Sequence, residues 1–182
     1  RALNLAYEMG LTEKMQIVVP NLTLGMVRQV GPTIMEGVVG AAPWVWNLPY
    51  ENNYQRGKDF VEAFSDRYEM RPSSSAASAY SIIYQYKDAV ERAGTTNTAS
   101  LIRALEGHRY TFLKDEQYWR EFDHQNVQTV YVVKVKPRNT IIADEYSSDY
   151  FSIIDSMPGD QAAQTREEWE ERRREAGKPL RL

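Results

Sequence analysis

"EGVVGAAPWVWNLPY", residues 36–50, decides how the rest of the chain reads. Small and β-branched residues run from Gly37 to Ala42 and stop at Pro43. A short apolar run closed by proline is the signature of a strand. Behind it, Trp44, Trp46 and Tyr50 lie in a segment that Pro43 and Pro49 keep out of a regular helix. Three large aromatics on a loop at the end of a strand suit a ligand cleft, because loops carried by a rigid scaffold are where binding residues concentrate. The competing reading is a loop packed on its own core.

The same grammar occurs just upstream. "MQIVVP", residues 15–20, is another apolar run closed by proline and reads as a buried strand. Residues 21–30 suit a helix or a turn. Ahead of them Ala2, Leu5, Ala6 and Met9 repeat at helical spacing, and Gly10 with Leu11 behind it gives a left-handed stop. No capping residue precedes this helix, so Arg1 is expected inside a helix that starts ahead of the chain. Helix, strand, crossover, strand is the order of an α/β fold around a parallel sheet.

After Pro49 the pattern turns helical. Gly57, Val61, Phe64 and Tyr68 form one stripe, broken at Arg71-Pro72 and three serines. Ala79, Ile83, Tyr86 and Val90 form a second, closed by Ala93-Gly94. Asn97 or Thr98 can cap a third helix carrying Leu101, Ile102 and Leu105, ended by Gly107. Phe60, Phe64, Tyr80, Tyr84 and Tyr86 are expected in the core. Residues 110–123 suit an edge hairpin, and residues 127–135 are the clearest strand, with Tyr131, Val133 and Val135 on one face. Pro137 and Asn139 mark a turn, and residues 150–154 one more short strand. The tail differs in character. Thr165 with Glu168 is a capping-box pattern, Glu168–Arg172 and Glu170–Arg174 are favourably ordered pairs, and Trp169 is its one large apolar anchor.

Composition narrows the functional classes. The 182 residues are 42% apolar and 26% charged, as in ordinary globular chains. A net charge of -3 gives no basic footprint for nucleic acid. No apolar run nears the ~20 residues of a membrane helix. Cysteine is absent, which excludes disulfides, thiolate ligands and a cysteine nucleophile. No metalloprotease, nucleophile-elbow, Walker or dinucleotide motif occurs. His108 and His124 stand apart, the serines beside Pro72 lack an adjacent base, and no metal-ligand cluster is visible. Asn21-Leu22-Thr23 fits the glycosylation pattern, which is short enough to arise by chance. Binding is what remains. Ligands of open α/β sheets sit outside the carboxyl ends of the strands, and two such ends are readable. The candidate ligand-binding residues are therefore Asn21, Leu22, Thr23, Trp44, Trp46 and Tyr50, with no catalytic, metal or cofactor site.

Taken in order, "AYEMGL", "QIVVP", "VGPTIMEGVVGAAPW", "GKDFVEAFSDRYEMRPSSSAASAYSIIYQYKDAVERAG", "LIRALEG" and "VQTVYVVKVK" resemble the C-terminal half of type I periplasmic solute-binding proteins. These are the receptors of branched-chain amino acid, urea and amide ABC importers. The resemblance runs from about Ala2 to about Pro158. It implies a two-lobed α/β fold that is incomplete in this chain, with most of one lobe missing. Residues 1–49 would belong to the C-terminal lobe, 50–128 to the N-terminal lobe, 129–158 to the return crossing, and 159–182 to a charged tail. It further implies a periplasmic receptor that closes on a small polar solute, with an ABC permease as partner. The missing N-terminal part, or an oligomer partner, would cover the helices. Trp44, Trp46 and Tyr50 would stand at the hinge or lip. Amino-acid receptors of this family commonly offer an acidic side chain where this chain has Asn21. That departure points to a solute without an α-ammonium group, unless Glu51 supplies the charge. Two other readings stay open: a ligand-sensing domain of a regulator with the same fold, and an α/β enzyme.

Overall fold

The computed structural model describes residues 2–180, so the expectation for Arg1 falls outside the described residues. Helix α1 (Ala2–Glu8) ends at Gly10, whose φ of 66° supplies the left-handed stop. Strand β1 (Val18–Val19) follows, then α2 (Leu24–Val30), α3 (Pro32–Met35) and β2 (Val39–Ala42). Strand β6 (Val130–Val135), helix α8 (Arg138–Ala143) and strand β7 (Phe151–Met157) complete this unit. The strand order is β1-β2-β6-β7. Strands β1 and β2 are parallel, whereas β2–β6 and β6–β7 are antiparallel, so the sheet is mixed where the sequence suggested a parallel one.

The second unit is helical. A short α4 (Leu48–Glu51) leads into α5 (Gln55–Tyr68), α6 (Ser74–Ala93) and α7 (Thr98–Leu105). Side chains of Ser73 and Asn97 accept the backbone N–H of Ala76 and Ser100 and so cap α6 and α7. Strands β3 (Arg109–Tyr110), β4 (Gln117–Trp119) and β5 (Asn126–Val127) form a separate antiparallel sheet. One continuous core joins the units. It runs from Val27, Met35, Val133 and Ile141 under the first sheet, through Trp44, Val45 and Leu48, to Phe60, Val61, Ala77 and Leu113 among the helices. The tail holds α9 (Gly159–Ala162) and α10 (Arg166–Glu175) and returns to the second sheet, where Tyr118 Oη donates to Asp160 at 2.5 Å.

Several expectations change. The first strand is two residues long rather than six, and Val18 is 62% exposed, because β1 is the sheet edge with one neighbour. Val127 belongs to the small sheet and not to the long strand. Pro137 caps a helix where a turn was expected. The stripe expected on α6 points outward: Ile83 is 67% exposed and Tyr86 is exposed, while Ala77, Gln85 and Ala89 are buried. In the tail both bonds of the capping box form, and Glu170 pairs with Arg174 at 2.6 Å. Glu168 is consumed by the cap, through the Thr165 N–H, and Arg172 bonds Gln164 instead of Glu168.

Candidate functional site

Because β1 and β2 are parallel, their carboxyl ends open on the same edge. The Asn21 loop folds back there: the Leu22 N–H donates to the Ala41 carbonyl at 2.9 Å. Gly40 permits this approach. A Cβ at Gly40 would lie 2.5 Å from both the Leu22 Cβ and the Val19 carbonyl oxygen. Thr23 then starts α2 by accepting the Met26 N–H. Of the six sequence-derived residues, Leu22, Trp44 and Trp46 meet, lining one narrow gap with Ser73 and Ser148. Its free volume of about 10 Å³ holds no more than a water. Leu22 and Trp44 are otherwise core residues, Thr23 is a cap, and Asn21 and Tyr50 are exposed.

The two tryptophans differ. Trp44 is 4% exposed, packs edge-on against Phe60 with centroids 5.9 Å apart, and leaves its indole N–H without an acceptor. Trp46 is half-buried, and its N–H donates to Asp149 Oδ1 at 2.9 Å. Lys136 holds the other oxygen of Asp149 at 2.5 Å. The Arg71 guanidinium lies 4.3 Å from the Trp46 ring and 4.8 Å from that of Tyr146, and pairs with Asp144 at 2.8 Å. This is a cation held over aromatic faces and anchored by a carboxylate. Burial alone would raise the Asp144 pKa, but hydrogen bonds from the Ser148 N–H and from Arg71 outweigh it and hold the carboxyl below its ordinary range. Tyr50 stands 5.9 Å from Trp46, and its hydroxyl reaches Glu62 at 3.4 Å. Burial first, then the Glu62 charge, raise its pKa.

A wider cleft of about 140 Å³, also lined by Trp44, opens between α6 and the small sheet. Tyr110, Lys114, Gln117, Trp119 and Asn126 line it. Lys114 is 2% exposed; its ammonium donates to the Pro43 carbonyl at 2.8 Å and the Thr129 carbonyl at 2.7 Å. Burial pulls its pKa down to about 8, against the raising effect of Asp115. Burial pushes the Tyr110 phenol up to about 12. Among the described residues no group of three or more His, Asp or Glu is placed to hold a metal, and no helix is long and apolar enough to cross a membrane.

Arg71, Lys114 and Asp149 were not singled out from the sequence. Arg71 read only as part of a helix break. Lys114 follows the apolar pair Phe112-Leu113, a sign that the chain is heading inward, but lysine is seldom buried unless it is paired, and its partners are distant backbone carbonyls.

The family model for periplasmic binding proteins matches residues 1–140. The chain belongs to this family. A comparison with curated protein sequences finds no match. Solved structures of the family share the fold. A periplasmic binding protein from Burkholderia mallei superposes with a TM-score of 0.76 at 24% identity, covering 92% of this chain and 42% of that one. The leucine-, isoleucine-, valine-, threonine- and alanine-binding protein from Brucella ovis, in its closed conformation, gives 0.68 at 21% identity, over 90% of this chain and 41% of that one. An ABC-transporter solute-binding protein from Rhodopseudomonas palustris BisB5, in complex with 3,4-dihydroxybenzoic acid, gives 0.67 at 21% identity, over 86% and 41%. The chain thus spans about two-fifths of the length of these periplasmic binding proteins, and the fold it carries is an incomplete form of theirs.

Proposed function

We propose that this chain is the C-terminal half of an extracytoplasmic receptor that delivers a small polar solute to an ABC importer, without catalysis. The observation that carries the reading is the family match over residues 1–140, with two crossings of the chain between the sheet unit and the helical unit. Residues 1–49 and 129–158 form one body and 50–128 belong to the other. The crossings at 43–47 and 128–129 are the hinge, and 159–182 is an added tail. Solute is held where the two bodies face each other, and Asn21, Trp46 and Tyr50 border that space. Leu22, Thr23 and Trp44 support the border from beneath. Closure of the two bodies on the solute is the signal the permease reads.

The solute class follows from Asn21. An amide offers one neutral hydrogen bond, roughly half the strength of a charge-assisted one, so it compensates poorly for desolvating an ammonium group. A solute without an α-ammonium is favoured: an organic acid, a short amide or a urea. The bound dihydroxybenzoic acid of the Rhodopseudomonas relative supports acids as a class this fold can hold. Calorimetry on the longer protein, with branched-chain amino acids against amides and organic acids, tests this. Saturable binding of one acid or amide class, with the solute recovered unchanged, is the expected result. Exclusive binding of leucine or valine would overturn the class. Turnover, or no binding by any class, would overturn the receptor.

A further inference from the structure

We infer that Lys114 is the pin of the hinge, a positioning residue whose ammonium fixes the spacing of the two crossings and thereby the resting angle between the two bodies. The inference rests on the receptor reading above. Pro43 begins the first crossing and Thr129 ends the second, and Lys114 bonds the carbonyl of each, at 2.8 and 2.7 Å. No other side chain among the hydrogen bonds described bridges these two segments. Its neighbour Asp115 strengthens the joint by accepting from the Thr129 hydroxyl and, at 3.3 Å, from the Tyr131 hydroxyl. The ammonium also lies 5.0 Å from the Tyr131 ring. A lysine that is 2% exposed gives up most of its hydration, and charged bonds to two carbonyls are what hold it there. Both carbonyls belong to backbone leaving a sheet strand or about to enter one, where the ladder no longer claims them. The ammonium therefore acts as a cross-link between two segments that must flex together.

The test uses spin labels at Gln29→Cys and Thr96→Cys, two exposed positions on opposite bodies, in the longer protein. Interlabel distances are measured without solute in wild type, K114M, K114R and K114Q. In K114M the distribution is expected to broaden and shift, and solute affinity to fall about tenfold, as it does when only a tenth of molecules rest in the competent geometry. K114R keeps charge and donors and should restore a narrow distribution. An unchanged distribution in every folded variant would overturn the pin. So would failure of all three to fold, which would make Lys114 a folding residue only. If wild type itself shows no response to any solute, the receptor reading fails instead, and the solute-free distances still judge the pin.

Discussion

Arg71 and Asp144 form the pair most exposed to a direct test. Arg71 sits between α5 and α6, Asp144 at the end of α8, so their 2.8 Å contact links the helical unit to the sheet unit. Removing one partner of a largely buried pair leaves the other uncompensated, and R71A should lower stability by about 2–3 kcal/mol, beyond the value of an exposed pair. The Asp144 carboxyl is held below its ordinary range in the folded state, so it contributes stability above the unfolded-state pKa near 3.9. That contribution is lost as pH falls through the lower folded value. Urea unfolding of wild type and D144N at pH 7 and pH 3 should give a gap that narrows toward acid; a constant gap would disprove the linkage. Lys114 has the same sign in a more alkaline window. Its folded pKa of about 8 lies below the unfolded 10.5, so the unfolded chain binds more protons between those values, and stability rises with pH across that window. Wild type should therefore gain on K114M between pH 7 and pH 10.

At the scale of elements, glycines fix how closely helix and loop approach. A Cβ at Gly57 on α5 would lie 2.4 Å from the Leu113 carbonyl oxygen and under 3 Å from Pro49. G57A should therefore destabilise by about 1–3 kcal/mol by overpacking, whereas alanine elsewhere favours a helix. Thermal melts of G57A against wild type read this directly, and an unchanged midpoint would show that the backbone yields. Helices were the most legible elements in the sequence, because their caps are local: Ser73, Asn97 and Thr165 each accept an N–H three residues on. Strand lengths were not, since β1 is shortened by its place at the edge and Val127 is claimed by a sheet whose other strands lie up to about 18 residues away. The outward stripe of α6 misled for another reason. Ile83 and Tyr86 have helical spacing whatever covers them, and spacing carries no information about which face the rest of this chain occupies. In the candidate site, the two loops and their common edge were legible from the prolines. Trp44 is buried against Phe60 of a later helix, and the roles of Arg71 and Lys114 depend on contacts across about 70 residues.

At the scale of the molecule, α6 presents Ile82, Ile83 and Tyr86 to solvent along one face. Contiguous exposed apolar surface of that kind marks an interaction site or an association hazard. Expressed by itself, the 182-residue chain should bind a hydrophobic dye and self-associate, while the longer protein should do neither. Sedimentation of both species decides the matter, and a dye-silent monomer of the short chain would show that this face needs no cover. The strand order carries a consequence in time. Among the described residues β6 is the strand that joins β2 to β7, yet it is made long after β2. Roughly 90 residues separate them, a delay on the order of ten seconds at typical ribosomal rates of about 5–20 residues per second. Through that interval β2 has only the two-residue β1 beside it, and the sheet cannot close. A nascent chain built this way keeps its larger sheet open, with the β2 edge unpaired, until β6 has emerged.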